Sequence, residues 1–132
     1  MGSNEIAVDV LLVDDEQDVR ELISEMLSRA GYTVRTASDG RDAIEVLDHV
    51  RPSVIIMDLQ MPVMNGAEFR EAQRRNRDRI KIPTVVMTGT TDEPLLDLAI
   101  EETLHKPVRV RKLLEIVGRH AQGSRSPTGV SG

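Results

Sequence analysis

The sequence predicts a single α/β domain of three layers, in which a parallel sheet of five strands is covered by helices on both faces. Short apolar runs that suit buried strands alternate along the chain with segments whose apolar residues recur every three or four positions. The 132 residues, 39% of them hydrophobic and 30% charged, are enough for one ordinary core. Connections of this alternating kind place successive strands parallel to one another.

Five segments have the composition of strands buried on both faces. They are short and mostly apolar, and several are rich in Val and Ile. Pro52 is expected to break the chain just before the third strand, which is the most apolar of the five. In chain order, the strands are predicted at residues 7–13, 33–37, 54–57, 84–87 and 103–105.

The segments between the strands have the periodicity of helices. The first is an apolar stripe that Gly31 is expected to end as a C-terminal cap, and Ser38 or Asp39 can cap the second. In chain order, the helices are predicted at about residues 19–30, 43–50, 66–79, 94–101 and 108–117. Residues 122–132 are polar and rich in Gly and Ser, so a disordered tail is expected there.

Composition excludes several classes of function. The chain has no cysteine, and therefore neither a disulfide framework nor a thiolate metal site. Its net charge of −5 disfavours direct nucleic-acid binding, and with Tyr32 and Phe69 as the only aromatic residues a base-stacking surface is not expected. No apolar run is long enough to span a membrane, and the first residues do not resemble a secretory signal. We therefore expect a cytoplasmic protein without membrane contact.

Polar residues follow four of the predicted strands at the point where each strand ends. Sites in open parallel sheets form outside the carboxyl ends of the strands, so residues distant in sequence are expected to meet at one edge. They are Asp14 with Asp15 after the first strand, Asp58 after the third, Thr88 after the fourth and Lys106 after the fifth.

Each of these residues alone has an ordinary structural explanation. Asp14 and Asp15 are more often a helix cap than a metal site, and Thr88 can cap the next helix. A single Asp58 is compatible with a loop carboxylate, and a single Lys106 with a surface lysine. Their placement at the same edge of one sheet favours a functional site.

The chemistry of such a site follows from its charges. Three carboxylates in one cleft repel each other, and a divalent cation relieves the repulsion. Oxygen ligands open to water and phosphate suit Mg²⁺ better than Ca²⁺. Asp58 can then act as a nucleophile that forms an aspartyl phosphate, while Lys106 offers a positive charge to the phosphoryl oxygens and Thr88 a hydroxyl hydrogen bond.

At these residues the chain resembles the receiver domains of two-component response regulators. The matching motifs are Leu12 to Glu16, Met57 to Gly66, Met87 to Gly89 and Lys106 with Pro107. The resemblance covers nearly the whole domain, whose bounds we place at residues 5–121. It implies a flavodoxin-like (βα)5 fold with the strand order 2-1-3-4-5.

The resemblance also implies a role for each residue of the site. Asp58 is similar to the family's phosphorylation site, and Asp15 and Asp58 to its direct Mg²⁺ ligands. Asp14 resembles a ligand that acts directly or through water, and the backbone carbonyl of Gln60 the third protein ligand. Thr88 is similar to the switch hydroxyl and Lys106 to the family's lysine. The bond between Lys106 and Pro107 is expected to be cis.

Partners follow from the same resemblance. It implies phosphoryl transfer from a histidine kinase or a histidine phosphotransfer protein to a domain that is not otherwise an enzyme, and that is a monomer or a weak phosphorylation-dependent dimer. Two departures concern the output face, which in the family is formed by the fourth helix and the fifth strand. Thr103 stands where the family usually has Tyr or Phe, and the stretch from Thr88 to Lys106 is short by about one helical turn. We therefore expect intact phosphorylation chemistry with an atypical readout.

Four alternative functions compete with the receiver interpretation. A pseudo-receiver that works without phosphate is favoured by Thr103 and the short segment before Lys106, and disfavoured by the retained acidic residues, threonine and lysine. An aspartate-nucleophile phosphatase would need an acid where Gln60 stands. A flavin carrier would need a phosphate-binding loop, and the acidic residues after the first strand would repel phosphate. A transcription factor has no support, because no DNA-binding segment is expected after residue 121.

Overall fold

The computed structural model describes residues 6–58, 82–89 and 102–121, with Thr88, Glu102 and Thr103 described by their backbone alone. The helices predicted at 66–79 and 94–101, and the tail at 122–132, lie outside the described residues. The strands are β1 (Ile6–Val13), β2 (Val34–Ala37), β3 (Val50–Asp58), β4 (Thr84–Thr88) and β5 (Glu102–His105). The helices of the described ranges are α1 (Gln17–Arg29), α2 (Gly40–Leu47) and α3 (Val110–Ala121).

The five strands form one parallel sheet in the order β2-β1-β3-β4-β5. This confirms the predicted strand order and the flavodoxin-like arrangement. The register of the sheet aligns the ends of its central strands. Val13 of β1 pairs with Ala37 of β2 on one side and with Met57 of β3 on the other. Asp58 of β3 pairs with Met87 of β4. The carboxyl ends of β1, β3 and β4 therefore lie next to one another.

Helices pack on both faces of the sheet, which gives the three predicted layers. Successive residues of β1 point to opposite faces, so that Leu12 belongs to the cluster under α1 and α3, while Leu11 belongs to the cluster under α2. Both leucines are fully buried. Full burial of a side chain of this size contributes about 1.5–3 kcal/mol, so the two faces of the sheet form the core of the domain.

The ends of α1 show how local sequence positions this helix. At its C-terminus Gly31 has a φ of 99°, a left-handed conformation that glycine adopts without strain. The amide of Gly31 donates to the carbonyl of Ser28, and that of Tyr32 to the carbonyl of Leu27. This is the double hydrogen bond of a Schellman motif, and it confirms Gly31 as the predicted cap.

The second helix begins at the predicted cap. The carboxylate of Asp39 accepts a hydrogen bond of 2.8 Å from the amide of Asp42, which satisfies one of the free amides of the first turn. The helix ends at Leu47, earlier than predicted, because Val50 already belongs to β3.

The prediction that Pro52 breaks the chain before the third strand was wrong. β3 starts at Val50, and Pro52 lies inside it, opposite Val8 of β1. The pairing between β3 and β4 begins only at Ile55. Within the described residues, this part of β3 is therefore paired on one side alone, the setting in which a strand tolerates the missing N–H of proline.

A buried carboxylate joins β1 to the residue before β2. Asp9 is 3% exposed, and its Oδ2 accepts hydrogen bonds from the backbone amide and the hydroxyl of Thr33, at 2.8 and 3.2 Å. In return, the amide of Asp9 donates to the Thr33 hydroxyl at 2.8 Å. These bonds replace the water that the carboxylate loses on burial.

None of the helices in the described ranges has both the length and the apolar composition required to cross a bilayer.

Candidate functional site

The sheet brings the predicted polar residues to one edge. Asp14 and Asp15 directly follow β1, Asp58 is the last residue of β3, and Thr88 is the last residue of β4. Lys106 directly follows β5, whose last residue pairs with Thr88. Since all five strands are parallel, the convergence expected from the strand ends is present.

Three carboxylates lie together at this edge. Asp14, Asp15 and Asp58 each offer an oxygen, and these atoms lie within 4.8 Å of one another. Asp14 is fully buried and Asp58 is 5% exposed, whereas Asp15 faces the solvent. The cluster is therefore buried at Asp14 and Asp58 and open to the solvent at Asp15.

Lys106 supplies the positive charge of the site. Its ammonium nitrogen lies 2.9 Å from Oδ2 of Asp58, a charge-assisted hydrogen bond between residues 48 positions apart. Burial alone would lower the pKa of Lys106, but the hydrogen bond and charge of Asp58, with the charges of Asp14 and Glu16, raise it above its usual value. The lysine is therefore a permanent cation at neutral pH. The peptide bond between Lys106 and Pro107 is cis, as predicted.

The environment of Asp14 suits a cation. Its Oδ1 accepts a hydrogen bond of 2.9 Å from the amide of Glu16, but its buried Oδ2 has no hydrogen-bond partner among the described residues. Burial, aided by the neighbouring charges of Asp58 and Asp15, raises the pKa of Asp14 despite the opposing effects of the Glu16 amide and of Lys106. A buried oxygen without a partner in an all-carboxylate cluster fits a hard divalent ion such as Mg²⁺.

The helix-cap explanation of the acidic pair is not what the structure shows. The N-cap residue of α1 is Glu16, and no side-chain hydrogen bond caps this end of the helix. The Asp14 carboxylate instead binds the amide of Glu16, within the turn that joins β1 to α1. This contact orients the Asp14 carboxylate toward the edge of the sheet.

One residue of the site region was missed by the sequence analysis. Arg20 of α1 donates a hydrogen bond of 2.7 Å from its Nη1 to the backbone carbonyl of Asp14. It therefore ties the first turns of the helix to the acidic turn after β1. The spacing of six residues gave no signal, because an arginine at this point of a helix is ordinarily a solvent-exposed residue.

Two of the predicted site residues are not placed by their side chains. Gln60 lies outside the described residues. Thr88 ends β4 at the expected edge, but only its backbone is described. Thr103 lies in β5 opposite Val86, also described by its backbone. The structure thus brings together the side chains of Asp14, Asp15, Asp58 and Lys106.

Comparison with known proteins agrees with this architecture. The family model described as "Response regulator receiver domain" matches residues 10–118. Among curated proteins, the response regulator MprA of Mycolicibacterium vanbaalenii is 33% identical over 109 residues, which are 81% of this chain and 47% of that protein. The chain spans about half the length of the first curated relatives that it matches.

Solved structures show the same fold. The chemotaxis protein CheY4 of Vibrio cholerae is 35% identical with a TM-score of 0.78, over 88% of this chain and 98% of that one. The receiver domain of the sensor histidine kinase PA1611 from Pseudomonas aeruginosa is 25% identical with a TM-score of 0.80, over 88% and 98% of the two chains. That structure has a magnesium ion coordinated in its active-site cleft.

The fold, the acidic edge and the family match agree with one another over nearly all of the described residues. Receiver domains are the signalling modules through which response regulators take phosphate from histidine kinases, and they bind Mg²⁺ at an acidic pocket. This chain belongs to the family of response regulator receiver domains.

Proposed function

We propose that this receiver domain accepts a phosphoryl group on the carboxylate of Asp58. The observation that supports this most directly is the 2.9 Å contact between the Lys106 ammonium and Oδ2 of Asp58, at a carboxylate already flanked by Asp14 and Asp15. A partly buried salt bridge with a purely structural role would not need two further carboxylates beside it, because their negative charges add to that of Asp58. A site that accepts a phosphoryl group uses both kinds of charge, the carboxylates as nucleophile and metal ligands and the lysine as a partner for the phosphoryl oxygens.

The transfer needs few protein groups. A carboxylate oxygen of Asp58 attacks the phosphorus, and a new O–P bond forms as the bond from phosphorus to the donor breaks. The donor is a phosphohistidine of a histidine kinase or phosphotransfer protein, and its imidazole leaves with the bonding electron pair. Lys106 stabilises the charge on the phosphoryl oxygens. The ammonium of Lys106 already lies next to the Asp58 carboxylate, so the side chain of the lysine needs little reorganisation during the transfer.

The three carboxylates are the ligands that we propose for Mg²⁺, together with the backbone carbonyl of Gln60. The fit is supported by the oxygen-only donor set and by Oδ2 of Asp14, which has no hydrogen-bond partner among the residues that the structure describes. Bound Mg²⁺ would neutralise part of the negative charge that the carboxylates and phosphoryl group bring together. Asp14 and Asp15 would act only as ligands of the ion, whereas Asp58 would be both a ligand and the phosphoryl acceptor.

We propose that Thr88 reads the phosphorylated state through a hydroxyl hydrogen bond to the phosphoryl group. Its position at the end of β4, next to the end of β3, supports this role. Thr103 in β5 has no ring to turn inward when the threonine moves. The output face is therefore atypical, in a receiver domain that we place at residues 5–121.

The experiment that tests the phosphoacceptor is intact mass spectrometry after incubation with acetyl phosphate and Mg²⁺. One added phosphoryl group is expected in the wild-type protein, and none in the Asp58→Asn variant or in the presence of a chelator. Asp48→Asn is the matched control, since it makes the same chemical change at an exposed residue outside the site. Labelling of Asp58→Asn at the wild-type level would refute Asp58 as the acceptor.

The same experiment separates the phosphoacceptor from a pseudo-receiver. If the wild-type chain stays unlabelled where a known receiver domain is labelled, the pseudo-receiver becomes the better description. The atypical readout has its own test by amide NMR. Phosphorylation should shift signals around Asp58 and Thr88, with smaller changes in β5 than in receivers that carry the aromatic residue. Shifts of the ordinary size in β5 would contradict it.

A further inference from the structure

The turn between β1 and α1 carries two of the three carboxylates of the acidic edge, and Arg20 reaches back across it. Arg20 lies in the first turn of α1, and its Nη1 donates a hydrogen bond of 2.7 Å to the backbone carbonyl of Asp14. Its own amide donates to the carbonyl of Glu16 at 2.9 Å. Arg20 is therefore bonded to the residues on both sides of the exposed Asp15.

The bond from Arg20 to Asp14 fixes the orientation of a peptide plane. A peptide unit is planar, so the direction of the Asp14 carbonyl also sets the direction of the Asp15 amide. On the other side of Asp15, the amide of Glu16 donates to Oδ1 of Asp14 at 2.9 Å. The two peptide units that flank Asp15 are thus both held, and with them the backbone from which its side chain projects.

Asp15 depends on this support more than Asp14 does. Asp14 is fully buried at the end of β1, and its amide donates to the carbonyl of Ala37 in β2 at 3.1 Å. The carboxylate of Asp15 is exposed, and it forms no hydrogen bond or ion pair with another residue that the structure describes. Within the described residues, the backbone of the turn is therefore what places this carboxylate beside the other two.

The charge of Arg20 is directed at a neutral group. Among the described residues its guanidinium forms no ion pair, although Asp14 and Asp15 belong to the turn that it contacts. A cation bonded to one of these carboxylates would compete with a metal ion for it, as Lys106 does at Asp58. The bond to the carbonyl holds the turn and leaves the carboxylate oxygens available as ligands. Its length of 2.7 Å is at the short end for such bonds.

We propose that Arg20 is a positioning residue for Mg²⁺ binding. Through the carbonyl of Asp14, it holds the carboxylate of Asp15 where that carboxylate acts as a ligand. Loss of a partner that orients a metal ligand typically weakens metal binding by about 10–100-fold. The inference rests on the metal site of the proposed function, but it does not depend on phosphorylation of Asp58.

The test is isothermal titration calorimetry of Mg²⁺ into the full chain and its Arg20→Gln variant. Loss of a positive charge near the carboxylates would by itself tighten Mg²⁺ binding, whereas loss of the positioning bond weakens it. We expect the Kd of Arg20→Gln to rise by about tenfold. Arg20→Lys keeps the charge and a donor on a shorter side chain, so its Kd should fall between the two. Unchanged or tighter binding in Arg20→Gln would overturn the proposal.

The matched control is Arg29→Gln, the same change at the other end of the same helix. It removes an exposed ion pair with Glu25, so its Mg²⁺ affinity should stay within about twofold of the wild-type value. Melting temperatures in chelator report any general loss of stability in the two variants. An equal loss of Mg²⁺ affinity in both would assign the effect to a loosened α1 and refute the positioning role.

Labelling by acetyl phosphate at increasing Mg²⁺ concentrations gives a second readout. Arg20→Gln should need about tenfold more Mg²⁺ for half of its maximal labelling rate. The maximal rate should stay close to the wild-type rate, because Asp58 and Lys106 are unchanged. If the wild-type chain binds Mg²⁺ but is not labelled, the phosphoacceptor proposal fails and the calorimetry still decides the role of Arg20. A wild-type chain that binds no Mg²⁺ would overturn the role of Arg20.

Discussion

The ammonium of Lys106 and the carboxylate of Asp58 are hydrogen-bonded at 2.9 Å, although β4 lies between β3, which ends at Asp58, and β5, which ends one residue before Lys106. Lys106 thereby offsets one of the three negative charges at this edge. It also competes with any divalent cation for the same carboxylate. We therefore predict that the contact has opposite effects on Mg²⁺ binding and on the proposed phosphoryl transfer.

Lys106→Gln should therefore bind Mg²⁺ more tightly and accept phosphate more slowly. The removal of one positive charge next to the cluster favours the cation by about 1 kcal/mol, or roughly fivefold in affinity. Isothermal titration calorimetry measures the first effect, and the rate of labelling by acetyl phosphate the second. Lys112→Gln is the control, with the same charge change outside the contact with Asp58. Weaker Mg²⁺ binding in Lys106→Gln would contradict this account.

Asp14→Asn should stabilise the metal-free protein at neutral pH. The amide keeps an oxygen acceptor for the amide of Glu16 and removes a buried charge whose second oxygen has no described partner. The buried charge lies within 4.8 Å of oxygens of Asp15 and Asp58, and its removal relieves a repulsion of about 1 kcal/mol, so the melting temperature should rise by several degrees in the presence of chelator. With Mg²⁺ in excess the difference should shrink or reverse, because the variant lacks a proposed ligand. A lower melting temperature in chelator would disprove the prediction.

The difference in stability between the wild-type protein and Asp14→Asn should change with pH in a direction set by the pKa of Asp14. The pKa of Asp14 is raised in the folded protein above its usual value of 3.8, so the folded state binds this proton more tightly than the unfolded chain. Its contribution to stability is present at low pH and is lost as pH rises from near 3.8 through the higher folded pKa. The stability gained by Asp14→Asn should therefore be absent at the acidic end and grow toward neutral pH. Melting curves in chelator across this range measure it, and a gain that is greatest at low pH would show the opposite sign.

Asp9→Ala should destabilise the domain by roughly 2–3 kcal/mol. The substitution leaves the amide of Thr33 without the acceptor that the buried carboxylate of Asp9 provides. Asp9→Asn, which retains an oxygen acceptor, should cost less. Urea unfolding measures both. A change for Asp9→Ala as small as that for an exposed variant such as Arg41→Gln would show that these hydrogen bonds are not needed for stability.

Gly118 and Tyr32 should show non-additive effects on stability. A Cβ at Gly118 would lie 3.2 Å from the hydroxyl oxygen of Tyr32, closer than ordinary contact. Alanine in place of glycine favours a helix by about 1 kcal/mol, and the strain of the close contact with the Tyr32 hydroxyl offsets this gain. Gly118→Ala should be nearly neutral alone, and stabilising by about 1 kcal/mol in a Tyr32→Phe background. Equal effects in both backgrounds, measured by urea unfolding, would rule out the steric explanation.

The residues that the sequence located best are those directly after apolar runs. Asp58 and Lys106 could be placed because a parallel sheet converts the end of a strand into a position on one edge. The order of the strands could not come from the apolar pattern alone and depended on the family resemblance. The distance between the two side chains required the structure.

The features that were missed depend on tertiary contacts. Asp9 lies within a run that reads as an ordinary buried strand, and its charge is tolerated only because Thr33 supplies hydrogen bonds from 24 residues away. A break was predicted at Pro52 from the local preference of proline, but a strand that is paired on one side at that point, among the described residues, tolerates the proline. Arg20 reaches the carbonyl of Asp14 through a side chain whose direction has no signal in the sequence.

The lengths of the strands have a consequence for behaviour at high concentration. The two strands at the edges of the sheet, β2 and β5, have four residues each, against eight and nine in the central β1 and β3. A short edge offers few free backbone groups to a strand of another molecule, and the exposed Arg35 adds a charge to the β2 edge. The longest apolar strands are enclosed within the sheet. The folded domain is thus protected against growth into strand-paired aggregates, and that hazard should appear mainly when β1 and β3 are exposed by unfolding.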